Sequence, residues 1–149
     1  MRELISAVSY WLHLVATVTW IGGIVFILFI AIPTAKQVLG AEAGKLMGEI
    51  SKRFTPLANY SIIFIIVTGS ALTSSSKWTW VLIVKHALVL GMVAVHFYRG
   101  LILAPKIART ESVSKKTFLQ KVSLNLIKVN FCLGMAVLLL SGITAVLYR

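Results

Sequence analysis

The residues best equipped for chemistry in this chain are its three histidines, His13, His86 and His96. His13 lies within the stretch WLHLVATVTWIGGIVFILFIAIP, from Trp11 to Pro33, and no charged side chain occurs between Leu4 and Ala35. A bilayer-spanning helix needs roughly 20 apolar residues. An ionisable residue placed in such a stretch is a functional site by default. Trp20 follows His13 by about two helical turns and shares its face. Ala16 and Thr17 fill the turn between them and Gly22-Gly23 come next, so small residues beside the imidazole let a flat or bulky group approach the backbone. His86 and His96 share a second apolar stretch with Lys85 and Arg99. Imidazole is an axial ligand of haem iron and also suits copper.

Composition defines the setting. Hydrophobic residues make up 58% of the chain, above the about 45–50% of a soluble domain. The chain reads as a single integral membrane domain, its first segment a retained helix and not a cleaved signal, with the lipid bilayer as its first partner. There is one cysteine, Cys132, hence no internal disulfide and no CxxCH motif for covalent haem. The net charge of +11 does not imply nucleic acid. The bases sit in short loops between spans, where topology and anionic headgroups account for them.

Four spans are predicted, at about residues 5–32, 55–72, 78–103 and 123–148. Pro33 and Lys36 end the first. Residues 36–53 form a loop with helix-forming character, and Pro56 sits in the first turn of the second span, where its missing N–H costs nothing. A short polar connection, residues 73–77, leads to Trp78 and Trp80, which mark a membrane interface. Pro105 closes the third span and a basic loop reaches Lys121. Asn125, Lys128 and Asn130 fall in the first third of the fourth span. No internal repeat is evident. The fold expected is an all-α membrane protein, four helices in an up-down-up-down bundle. Lys36, Lys45, Lys52, Arg53, Lys106, Arg109, Lys115, Lys116 and Lys121 lie on one side, against Arg2, Lys77 and Arg149 on the other. The excess of bases places the first group in the cytoplasm and both termini outside.

At about 1.5 Å per residue, His13 and His86 each lie about eight residues below the outer start of their spans. Spans one and three are diagonal in such a bundle, and bundle cores are where cofactor sites are built. Two histidines at one depth can take both faces of a haem iron, with no covalent link to the macrocycle. His96 is about 15 Å deeper and rotated by about 80°. It suits a second metal or haem, or a structural role. Trp20, Gly23 and Arg99 complete the candidate cofactor contacts, Arg99 through haem propionates. Lys85 and Arg99 can equally snorkel to lipid phosphates.

Several runs carry a resemblance to a family. His13–Gly23 (HLVATVTWIGG) followed by Pro33, Lys52–Ala58 (KRFTPLA), Thr68-Gly69, Val84–Leu90 (VKHALVL), His96 with Leu103-Ala104-Pro105, and Lys128-Val129-Asn130 occur in an order that resembles small CopD-like membrane proteins. The His-to-Trp spacing of span one is also similar to HemJ-type protoporphyrinogen oxidases, which are haem-binding membrane proteins. This resemblance implies a haem site centred on His13. It does not carry over porphyrinogen oxidation: where that family has a basic residue in span one and an acid after the span-four asparagine, this chain has Phe26–Phe29 and Asn130-Phe131. The CopD likeness implies copper handling, although Met92, Met135 and Cys132 are few and scattered for a Cu(I) path.

The leading expectation is a membrane cytochrome holding haem b between His13 and His86, exchanging electrons with a quinone or a partner protein. The alternative is CopD-like copper transport or resistance through the same histidines, and a third is a structural or assembly subunit without cofactor. The four acids, Glu3, Glu42, Glu49 and Glu111, all lie outside the spans, so carboxylate catalysis within the membrane is not expected. Whether the chain is an enzyme, and whether it forms a homo-oligomer, the residues leave open.

Overall fold

Two prolines placed by their sequence at the ends of spans instead sit inside longer helical rods. The computed structural model describes residues 1–74 and 79–147. The Trp78 belt residue, most of the 73–77 connection, and the terminal Tyr148 and Arg149 lie outside the described residues. The helix α1 (Arg2–Phe26) passes into a π-helical turn (Ile27–Ala31) and on into α2 (Ile32–Leu39), with Pro33 in the first turn of α2. In the same way α4 (Trp80–Phe97) passes through a π turn (Tyr98–Leu103) into α5 (Ala104–Arg109), with Pro105 near its start. A proline within a helix lacks a donor and crowds the carbonyl four residues back. The π turn answers this by shifting the hydrogen bonds just ahead of the ring: Ile32 N–H reaches Ile27 O and Ala104 N–H reaches Arg99 O, each five residues back. The rods therefore continue past both prolines, to Leu39 and Arg109, where ends at Pro33 and Pro105 are predicted.

The remaining long helices also exceed the predicted spans. The helix α3 (Ala43–Thr73) absorbs most of the expected loop and carries Pro56 in its interior, not in its first turn. Pro56 is exposed and costs one hydrogen bond, while the Thr55 hydroxyl beside it donates to Ser51 O at 2.8 Å. The helix α6 (Val113–Leu147) begins ten residues before the predicted fourth span at 123. Between α2 and α3 the chain turns through Gly40, whose φ of +50° is a conformation that disfavours a side chain.

By length and hydropathy, three helical stretches among the described residues can cross a membrane: Glu3–Thr73, Trp80–Arg109 and Val113–Val146. The protein is all-α, and its outward side chains are apolar. Val18, Ile63, Val67, Leu90 and Leu139 are all more than half exposed, which is how helices meet lipid and not water.

The chain divides into two compact units, Met1–Lys77 and Trp78–Arg149. In the first, α1 packs along α3. Ala16, Trp20, Ile24 and Ile27 are buried at intervals of three and four, the helical period, against Ala58, Ile62, Ile65 and Thr68. In the second, α4 packs along α6, burying Met92 and His96 against Ile127, Asn130 and Val137.

The two hairpins repeat one plan at a spacing of 72 residues, the distance from Pro33 to Pro105. That shift carries the buried Trp20 to Met92, Ile24 to His96, Ala31 to Leu103, Ala58 to Asn130 and Ile65 to Val137, all of them buried. It carries the first π turn onto the second to within one residue. Pairing across the hairpins agrees as well. Arg99 lies opposite Ser123, which corresponds to Ile27 opposite Ser51, one turn along from the contact of Gly23 with Phe54. The repeat is hidden in the sequence because lipid-facing positions accept any apolar side chain, so two hairpins of one plan need share few identities.

Candidate functional site

His13 is half-buried on the face of α1 that meets α3. Its Nδ1 lies 2.9 Å from Thr68 Oγ1. The Thr68 hydroxyl donates its proton to Phe64 O, four residues back in its own helix, as buried helical threonines do. Its oxygen can then only accept from the imidazole. Nδ1 is thus the protonated nitrogen of His13, and Nε2 holds the ring's lone pair. Gly69 sits beside the ring: a Cβ there would lie 3.3 Å from His13 Cε1. Thr68-Gly69 therefore orients the imidazole with one residue and makes room for it with the next. Sequence reasoning gave this pair no role. Its signal was a small residue following a hydroxyl near the end of an otherwise bulky span.

The neighbours singled out on α1 have other duties. Trp20 is 2% exposed and fills the α1–α3 seam. The flat group that approaches Gly23 is the ring of Phe54, which leaves no room for a Cβ. Gly22, by contrast, has open space beside it.

In the second unit, His86 Nδ1 lies 2.7 Å from Leu82 O. A carbonyl only accepts, so this ring too carries its proton on Nδ1 and its lone pair on Nε2. His96, one long stretch further along α4, is buried and stands edge-on to the Phe97 ring, with centroids 5.5 Å apart and planes at 80°. Arg99 Nε donates to Ser123 Oγ at 3.3 Å, tying the π turn to α6. Asn130 is 1% exposed, and among the described residues its Oδ1 has no hydrogen-bond partner. Lys85 is half-buried. Among the softer donors, Met92 is buried whereas Cys132 and Met135 are exposed. Among the described residues no three His, Cys, Asp or Glu side chains gather to hold a metal ion.

A family model described as a domain of unknown function, DUF4149, matches residues 15–116. This covers more than half of the chain. The chain belongs to the DUF4149 family. The match opens two residues after His13 and takes in Trp20, Gly23, Thr68, Gly69, His86, His96 and Arg99. No curated protein and no solved structure matches the chain. The DUF4149 region thus spans α2 to α5 whole, together with the second half of α1 and the first residues of α6.

Proposed function

We propose that this DUF4149 protein is an integral membrane b-type cytochrome in which His13 ligates haem through Nε2. The observation that carries this reading is the Thr68–His13 hydrogen bond. A metal-bound histidine almost always donates its other ring N–H to an oxygen, which fixes the tautomer and raises ligand basicity. His13 is prepared in that way, with Gly69 giving the ring its place. His86 is prepared likewise by Leu82 O and would supply the second imidazole that the equal depths in the sequence call for.

The donor set fits haem better than copper, because the sulfurs of Met92, Cys132 and Met135 are divided between a buried seam and the exposed face. When bound, the haem supplies one-electron chemistry, with a quinone or a partner protein as the other party. The chain's part is to ligate, orient the rings and keep water away. Arg99 is about 20 Å along the helix from His86 and bonds Ser123, so we leave it out of this haem's surroundings, and His96 with it.

The stretch Glu3–Thr73 is much longer than one crossing requires. We read it as two crossings folded at Gly40, which gives four in all. The bases near both hairpin turns then lie in the cytoplasm and both termini outside.

The test is the optical spectrum of protein purified after expression with a haem precursor. A Soret band with sharp reduced α and β bands, lost in His13→Ala and His86→Ala and kept in His96→Ala, is the expected outcome. Colourless wild-type protein overturns the reading.

A further inference from the structure

The two hairpins differ most at their turns. In the first, two lysines are paired locally: Lys45 with Glu42 and Lys52 with Glu49, both at 2.6 Å. In the second, an open groove of about 430 Å³ lies between the end of the π turn and the start of α6. Its lining combines the apolar Leu101, Ile102 and Pro105 with the cations Lys106, Arg109 and Lys115. Among the described residues none of these three cations has an ion-pair partner.

The local structure explains how the groove is built. The π turn and Pro105 bring two large apolar side chains beside a basic helix end. The chain then leaves the helix at Thr110, whose backbone is extended and whose hydroxyl donates to Lys106 O at 2.7 Å. It re-enters helix beyond Ser112, and Lys115 follows in the first turn of α6. An apolar wall next to three uncompensated cations, at the end of a helix of membrane-spanning length, matches one kind of molecule. Its head must be anionic and its body apolar.

We propose that this groove binds an anionic glycerophospholipid, its phosphate against Lys106, Arg109 and Lys115 and the upper part of an acyl chain against Leu101 and Ile102. Each base near an anionic membrane surface adds to such attraction. At the first turn Glu42 and Glu49 offset that attraction for Lys45 and Lys52. The proposal rests on the membrane reading of the chain and is independent of haem.

Native mass spectrometry of the full chain released from detergent, with added phosphatidylglycerol or phosphatidylcholine, tests it. Wild-type protein should retain phosphatidylglycerol in preference to phosphatidylcholine. Arg109→Gln with Lys115→Gln should weaken that retention on the order of tenfold or more. Lys45→Gln with Lys52→Gln removes the same charge from the first turn and should change it little. Equal loss in both double variants, no loss in the groove variant, or equal retention of the two lipids by wild-type protein overturns the proposal. So does displacement of phosphatidylglycerol by millimolar inorganic phosphate, which would make the groove a site for the free anion. Should the groove variant fail to fold, a salt titration of wild-type protein decides. Phosphatidylglycerol retention must fall with salt while phosphatidylcholine retention does not, and a salt-insensitive preference overturns the proposal.

Discussion

The first hairpin keeps its polar chemistry at the end away from its turn, and the second keeps its own near the turn. In the first, a histidine is set between Thr68 and Gly69 far from Gly40, the seam nearer the turn is apolar, and the lysines at the turn are paired with glutamates. In the second, the positions 72 residues after Thr68 and Gly69 are Leu140 and Ser141, and His86 Nδ1 bonds Leu82 O of its own helix. The seam position that is Ile24 in the first hairpin is His96 in the second, and Ala58 there becomes Asn130. Among the described residues the groove cations at the second turn have no ion-pair partner. One backbone plan therefore presents an imidazole held across the seam by the facing helix in one copy, and a buried polar seam with a cationic groove in the other. Fold and function separate here: the π turns, the prolines and the antiparallel register are common to both, while a few side chains decide the chemistry.

The comparison breaks most readily at Thr68. Thr68→Val removes the acceptor of the His13 N–H at little change in volume. It should weaken haem affinity about 10- to 100-fold, measured by haem transfer to an apo-acceptor. Ser141→Ala, at the place equivalent to Gly69, should leave affinity unchanged. Equal effects would mean that the two hairpins do not differ as described.

A smaller effect is expected from exchanging the seam residues. Ala58 is completely buried, and Ala58→Asn puts an amide into an apolar seam at a cost of about 1–3 kcal/mol. Asn130→Leu removes a buried carbonyl that has no partner and should leave stability unchanged or raise it. Thermal unfolding in detergent gives both values. A large loss in Asn130→Leu would show that the amide is used, and that the second seam is more than a tolerated exception.

The smallest effect concerns pH at the first turn. The hydrogen bond from Lys52, aided by the charges of Lys52 and then Arg53, holds the Glu49 carboxyl below its ordinary range. Because the folded value is the lower one, the pair's contribution is complete above the unfolded pKa and is lost as pH falls through the folded one. Acidification through that range should free Lys52 and make the first turn resemble the second. In the Arg109→Gln, Lys115→Gln protein, phosphatidylglycerol retention should then recover slightly at low pH. No recovery would show that pairing with glutamate is not what silences the first turn.

Much of the architecture was legible in residue types. Long apolar runs dictate helices, because a backbone in lipid must satisfy its own hydrogen bonds, and an imidazole within such a run marks His13. Helix ends were legible only in part. Pro33 and Pro105 read as stops, yet a local shift to π hydrogen bonding lets the helix continue, and no residue type announces that shift. The groove at Gly23 was read as room for a ligand, while the ring that fills it, Phe54, is 31 residues away in the chain.

By itself the sequence determined that the chain is helical, apolar on its outward faces and basic near its turns, since these follow from counts and periods along one strand of text. Only the tertiary structure decided that Thr68 accepts the Nδ1–H of His13 and so fixes its tautomer, that the two hairpins share a register, and that three cations converge on one groove. Each of those depends on which residues of distant helical turns come opposite one another. That is set by side-chain packing in the seams, and a pattern of apolar and polar letters does not contain it.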